Sequence, residues 1–108
     1  MIKFELHQIV AATALMATGG AFAQDGDARR GAEQAAMCIG CHGIEGYRAS
    51  FPQVYRVPHI AGQGAPYLRA ALQAYRDGTR RHPTMRAVAR SLSDQDIADL
   101  AKFYEGQP

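Results

Sequence analysis

Cys38-Ile39-Gly40-Cys41-His42 decides how this chain folds. Two thiols three positions apart can each bond one vinyl group of a single porphyrin. A histidine next in sequence is then placed to bind the iron from one face. C-x-x-C-H therefore reads as a c-type haem attachment site, with Cys38 and Cys41 as covalent anchors and His42 as an axial ligand. Two other readings compete. A disulfide across two intervening residues would be an oxidoreductase pair, and it would not call for a histidine directly after it. A structural zinc site wants four ligands, and the chain has only these two cysteines.

Haem attachment implies export, and the N-terminus agrees. Lys3 supplies a positive charge, partly offset by Glu5. Ile9 to Ala17 form a short apolar run, Gly19-Gly20 break it, and Ala21-Phe22-Ala23 follow. Small-x-small after such a run marks a secretory cleavage site. The run is well short of the roughly 20 apolar residues a spanning helix needs. Residues 1–23 are expected to be a cleavable signal peptide, with the mature domain over 24–108 and a periplasmic location. A domain this small has difficulty burying enough apolar surface alone. A covalently held porphyrin supplies the missing apolar body.

The absence of tryptophan and the abundance of alanine, leucine and arginine lean helical. Ala28 to about Cys38 reads as a first helix ending at the motif, with Gly31 asking for a reason inside it. Residues 47–63, with Pro52, Pro58 and Gly62, read as an irregular loop. Pro66 opens a second helix, whose apolar face is Leu68, Ala71, Leu72 and Tyr75, and Gly78 closes it. Thr79 to Thr84 read as loop, with Met85 in the same connection between helices. Ser93 and Asp96 fit a capping pair, and Ile97, Leu100, Ala101 and Tyr104 make a last amphipathic face. The expected fold class is all-α: three main helices with long loops wrapped around one haem.

One axial position remains to be filled. Met37 is tied too close to the proximal side to reach across. Met85 is free to approach from the other face, with His59 and His82 as competitors. Methionine paired with histidine raises the reduction potential. The iron-free nitrogen of His42 needs an acceptor to fix its tautomer. The carbonyl of Pro58 is preferred to that of Pro52.

Together these residues resemble the small bacterial class I cytochromes c, in the branch with a V-P-x-[IL]-A-G-Q loop and a Y-L-x-x-x-L-x-x-[FY] helix. The match runs through Gly31, Cys38, Cys41, His42-Gly43, Gly46, Val57-Pro58, Ala61-Gly62-Gln63, Tyr67-Leu68, Leu72, Tyr75, Gly78, Arg80, Met85 and Leu92-Ser93-Asp94 with Ile97. The resemblance implies a cytochrome c-like fold with Met85 distal to the iron and Pro58 bonded to His42. It also implies that Gly31 lets the first helix cross the last at Phe103 or Tyr104. The stretch from Gly46 to Pro58 is longer than is usual for the group, and His59 stands where asparagine is common.

Between residues 48 and 90 the chain carries eight arginines against the single acid Asp77. Such asymmetry can steer a partner of opposite sign, and part of it can offset haem propionates. The expected function is a periplasmic one-electron carrier with one haem c. Donor and acceptor proteins would dock near the haem edge, and any association with the membrane would be peripheral, through those partners. The chain would not itself be an enzyme. The alternative is a cytochrome subunit of a larger dehydrogenase or oxidase complex. No interleaving of aromatic and basic residues points to nucleic acid.

Overall fold

The computed structural model describes residues 25–50 and 54–108. The expected signal peptide and Pro52 lie outside the described residues. The elements in chain order are α1 (Ala28–Gln34), α2 (Ala36–His42), β1 (Arg48–Ala49), β2 (Tyr55–Arg56), α3 (Ala65–Asp77), α4 (Pro83–Arg90) and α5 (Asp94–Glu105). No helix among the described residues is long and apolar enough to cross a membrane.

Helix α5 is the spine, and its sequence explains why it starts where it does. The Ser93 side chain accepts the Asp96 N–H while the Asp96 side chain accepts the Ser93 N–H, a reciprocal cap. The Ser93 N–H, then the Gln34 and Ser93 side chains, hold the Asp96 carboxyl below the usual carboxylate range. Ile97, Ala98, Leu100, Ala101 and Tyr104 are buried along it. Helix α3 is tied to both of its ends. The Glu105 carboxylate accepts the Ala65 N–H at 2.7 Å, holding the first turn of α3. Arg76 at the other end of α3 donates to Leu92 O at 3.3 Å and to Asp94 at 2.5 Å.

Helix α1 lies across α5 at a crossing that only glycine permits. A Cβ on Gly31 would sit 2.1 Å from Asp99 O and 2.8 Å from Phe103 Cβ. The expected close crossing is present, centred on Asp99 and Phe103. Asp99 is fully buried. Its Oδ1 accepts from the Asp27 N–H and from Gln95 Nε2, each at 2.8 Å, and Oδ2 faces Arg30 Nε at 3.5 Å. Asp27 caps α1 through its own side chain. The carboxylate of Asp99 thus hooks the start of α1 onto the spine.

Three sequence expectations need correction. The first helix does not end at the cysteine motif. It breaks at Ala35, a fully buried residue where Cys38 N–H bonds Ala35 O in a tightened turn, and resumes as α2 through His42. Residues 47–63 are not wholly irregular. β1 and β2 pair antiparallel, Arg48 opposite Arg56 and Ala49 opposite Tyr55, and Val57 N–H extends the pairing to Tyr47 O at 3.0 Å. Met85 is not in a loop; it lies in the first turn of α4, capped by His82 with Pro83 inside the start. Gly78 ends α3 as expected, in the left-handed region at φ 89°.

A Gly31→Ala variant is expected to lose about 2 kcal/mol or more of stability. Thermal unfolding of the haem-loaded protein checks this; an unchanged midpoint would contradict the crossing.

Candidate functional site

The motif is carried on a helix, and helical geometry sets what it presents. Residues three and four apart share a face, so Cys38, Cys41 and His42 project to one side of α2. Cys38 is partly buried and packs against the core of Ala35, Leu68, Leu92, Ile97, Leu100 and Tyr104. Cys41 is exposed, and both cysteines are free thiols. Burial pushes the Cys38 thiol up, with a smaller push from Cys41, and the Tyr104 hydroxyl partly offsets it. Burial, then the neighbouring Cys38 sulfur, pushes the Tyr104 hydroxyl up to about 12. That hydroxyl has no hydrogen-bond partner of normal geometry.

The chain after the motif turns back on it. Gly46 adopts φ 68°, a left-handed turn, and the hairpin returns the chain as far as Pro58. His42 Nδ1 lies 2.7 Å from Pro58 O. A carbonyl oxygen only accepts, so Nδ1 carries the proton in this contact. In the neutral ring Nε2 then keeps a free lone pair, which is the form a metal-binding imidazole takes.

Met85 is half-buried at the third position of α4, and its N–H donates to His82 Nδ1 at 3.3 Å. With Nδ1 accepting that proton, the neutral His82 ring carries its hydrogen on Nε2 and has no lone pair free for iron. The two rivals for the distal position are thus separated by chemistry in this conformation. His59 and Pro58 are both exposed. Sequence reasoning missed the part played by His82. The signal was a Pro at the first helical position with Met85, Val88, Ala89 and Leu92 at helical spacing behind it.

The donor set suits a porphyrin better than a bare ion. Among the described residues no group of three or more His, Cys, Asp or Glu could hold a metal. A haem iron asks the protein for only two axial ligands, with thiols spent on the ring. Met37, Ile39 and Ile44, on or just after α2, are about half exposed, and so are Tyr55 and Tyr67. These apolar side chains have little protein covering them, as expected beside a large flat apolar group. The residues fit haem.

Residues 28–105 match the cytochrome c family, and the chain belongs to it. It is a haem c electron carrier that works with redox partners. The chain is 40% identical over 85 residues to cytochrome c-554(548) of Halomonas halodenitrificans, covering 76% of this chain and 98% of that protein. It is 40% identical over 82 residues to cytochrome c4 of Pseudomonas aeruginosa, covering 76% of this chain but 39% of the relative. The solved structure of reduced recombinant cytochrome c4 from Pseudomonas stutzeri matches with a TM-score of 0.62 at 34% identity. That match covers 77% of this chain and 46% of that one. The all-α cytochrome c fold expected from the sequence is the fold observed, with the small hairpin added to it.

Removing the unpartnered Tyr104 hydroxyl relieves a buried polar group. Tyr104→Phe is expected to leave the unfolding temperature of the loaded protein unchanged or raise it, whereas Tyr104→Ala is expected to cost about 3–5 kcal/mol. A large loss in the phenylalanine variant would show that the hydroxyl has a partner.

Proposed function

We propose that this chain carries single electrons in the periplasm, with Cys38 and Cys41 as the thioether anchors, His42 as proximal ligand and Met85 as distal ligand. Haem iron supplies the one-electron couple between Fe(III) and Fe(II). The protein supplies position, ligand field and exclusion of water. Pro58 O accepts from His42 Nδ1 and so points the lone pair of Nε2. Met85 offers a soft thioether, which favours the reduced iron and raises the potential. With His42 and Met85 both holding the iron, the haem would pass electrons without binding a substrate.

The observation that carries this reading is the His42–Pro58 contact at 2.7 Å beside two free thiols on one helical face. The export signal over residues 1–23 and the mature domain from Gln24 onward belong to the same proposal, since thioether attachment in bacteria takes place outside the cytoplasm.

The arginine-rich middle of the chain supports a docking role. Arg48 and Arg56 face each other across the hairpin, an arrangement of like charges that costs stability unless an anion lies nearby. Arg80, Arg81, Arg86 and Arg90 are exposed around α4. An acidic patch on a donor or acceptor protein, together with the haem propionates, would be that anion. Stable co-purification with a catalytic chain would instead favour a subunit of a larger complex.

Exported protein is expected to give a positive pyridine haemochrome test for thioether-linked haem. Met85→Ala is expected to lose the far-red methionine–iron band and to lower the reduction potential by on the order of 0.2 V. An unchanged spectrum and potential in that variant would overturn the distal assignment.

A further inference from the structure

The two axial candidates are linked by a short run of contacts that passes through the hairpin. Pro58 O meets His42 Nδ1 on one side. Three residues earlier, the Tyr55 ring on β2 meets the His82 ring in a T-shaped contact, with centroids 4.7 Å apart and planes at 80°. His82 is the N-cap of α4, in extended backbone with φ −157° and ψ 114°, and its Nδ1 accepts the Met85 N–H. One four-residue stretch, Tyr55 to Pro58, thus touches the support of His42 and the support of Met85.

We propose that His82 is a positioning residue for Met85, with Tyr55 holding the His82 ring in place. This rests on the reading of Met85 as distal ligand.

Histidine is an unusual cap. Serine, threonine, aspartate and asparagine accept helix N–H groups better. The donor that the cap receives is the Met85 N–H. A hydroxyl or carboxylate could do that much. Only an aromatic cap can also make a ring contact with Tyr55, and that contact ties the start of α4 to the hairpin that carries Pro58. The cap fixes the backbone from which the Met85 thioether projects. It also settles the His82 tautomer. A ring whose Nδ1 accepts carries hydrogen on Nε2, so capping and metal binding by His82 exclude each other. His82 supports the methionine while it caps, and it becomes a competitor only if the cap opens.

The test uses the haem-loaded protein and two readouts, the far-red methionine–iron band and the imidazole concentration that half-displaces the methionine. In His82→Ala that concentration is expected to fall about fivefold, the cost of a lost cap. His82→Asn restores an acceptor without the ring and is expected to recover at least half of that loss on a logarithmic scale. Tyr55→Leu is expected to lower the concentration, and Tyr55→Phe to leave it unchanged. If His82→Ala does not accumulate as loaded protein, Tyr55→Leu carries the test by the same readout. An unaltered imidazole titration in His82→Ala or in Tyr55→Leu would overturn the proposal, as would failure of His82→Asn to recover. These failures differ from failure of the Met85 reading itself. In that case the band is absent from the parent protein or survives Met85→Ala. A band that depends on Met85 but ignores His82 sinks only the positioning role.

Discussion

The contact between His42 Nδ1 and Pro58 O does more to organise this molecule than its single bond suggests. It joins the end of α2 to the far end of a loop, and it leaves one imidazole nitrogen able to hold a metal. Everything between Gly43 and Val57 must therefore close a ring of fixed size. The hairpin is how the chain closes it: two strands of two residues each, with the Val57–Tyr47 bond continuing the pairing. From the same hairpin Tyr55 reaches His82, so the constraint extends to the helix that carries Met85.

The protein part of the core is thin. Among the described residues the largest fully buried side chains are Ile97, Leu100 and Asp99, and one of these is a carboxylate. Much of the remaining core is alanine. A domain of this size gains little from such a core against chain entropy. The carboxylate is tolerated because Asp27 and Gln95 donate to it and Arg30 faces it. It gives location, the docking of α1 on α5, more than it gives apolar burial. Cys38 packs against this same small core, so an anchored porphyrin extends an existing apolar surface instead of making a separate one.

Helices α3 and α5 were legible because each obeys one rule throughout: an apolar face at helical spacing, with a recognisable cap or stop. Gly78 and the Ser93–Asp96 pair mark those ends in residue types that have few other uses. The C-x-x-C-H motif, the fold class and the Gly31 crossing were legible for a similar reason. What escaped was set by tertiary contact. The break at Ala35 follows from burying that residue against the spine. Helix α4 hides behind a histidine cap and four arginines between 80 and 90, so its apolar positions look like loop. The hairpin opposes arginine to arginine, against strand preference, and only the closure at Pro58 makes sense of it. Asp99 looks like the solvent side of an amphipathic helix, although Ile97, Ala98, Leu100 and Ala101 crowd it on both sides in sequence.

With Met85 as distal ligand, one methionine methyl lies directly over a porphyrin face. Proton NMR of the reduced, exported protein, with Met37 and Met85 carrying labelled methyl groups, reads this directly. One methyl resonance is expected far upfield, moved by the ring current, and replacing Met85 by leucine removes it. Both methyl resonances in the ordinary range, or a shifted one that belongs to Met37, would contradict the arrangement at its centre.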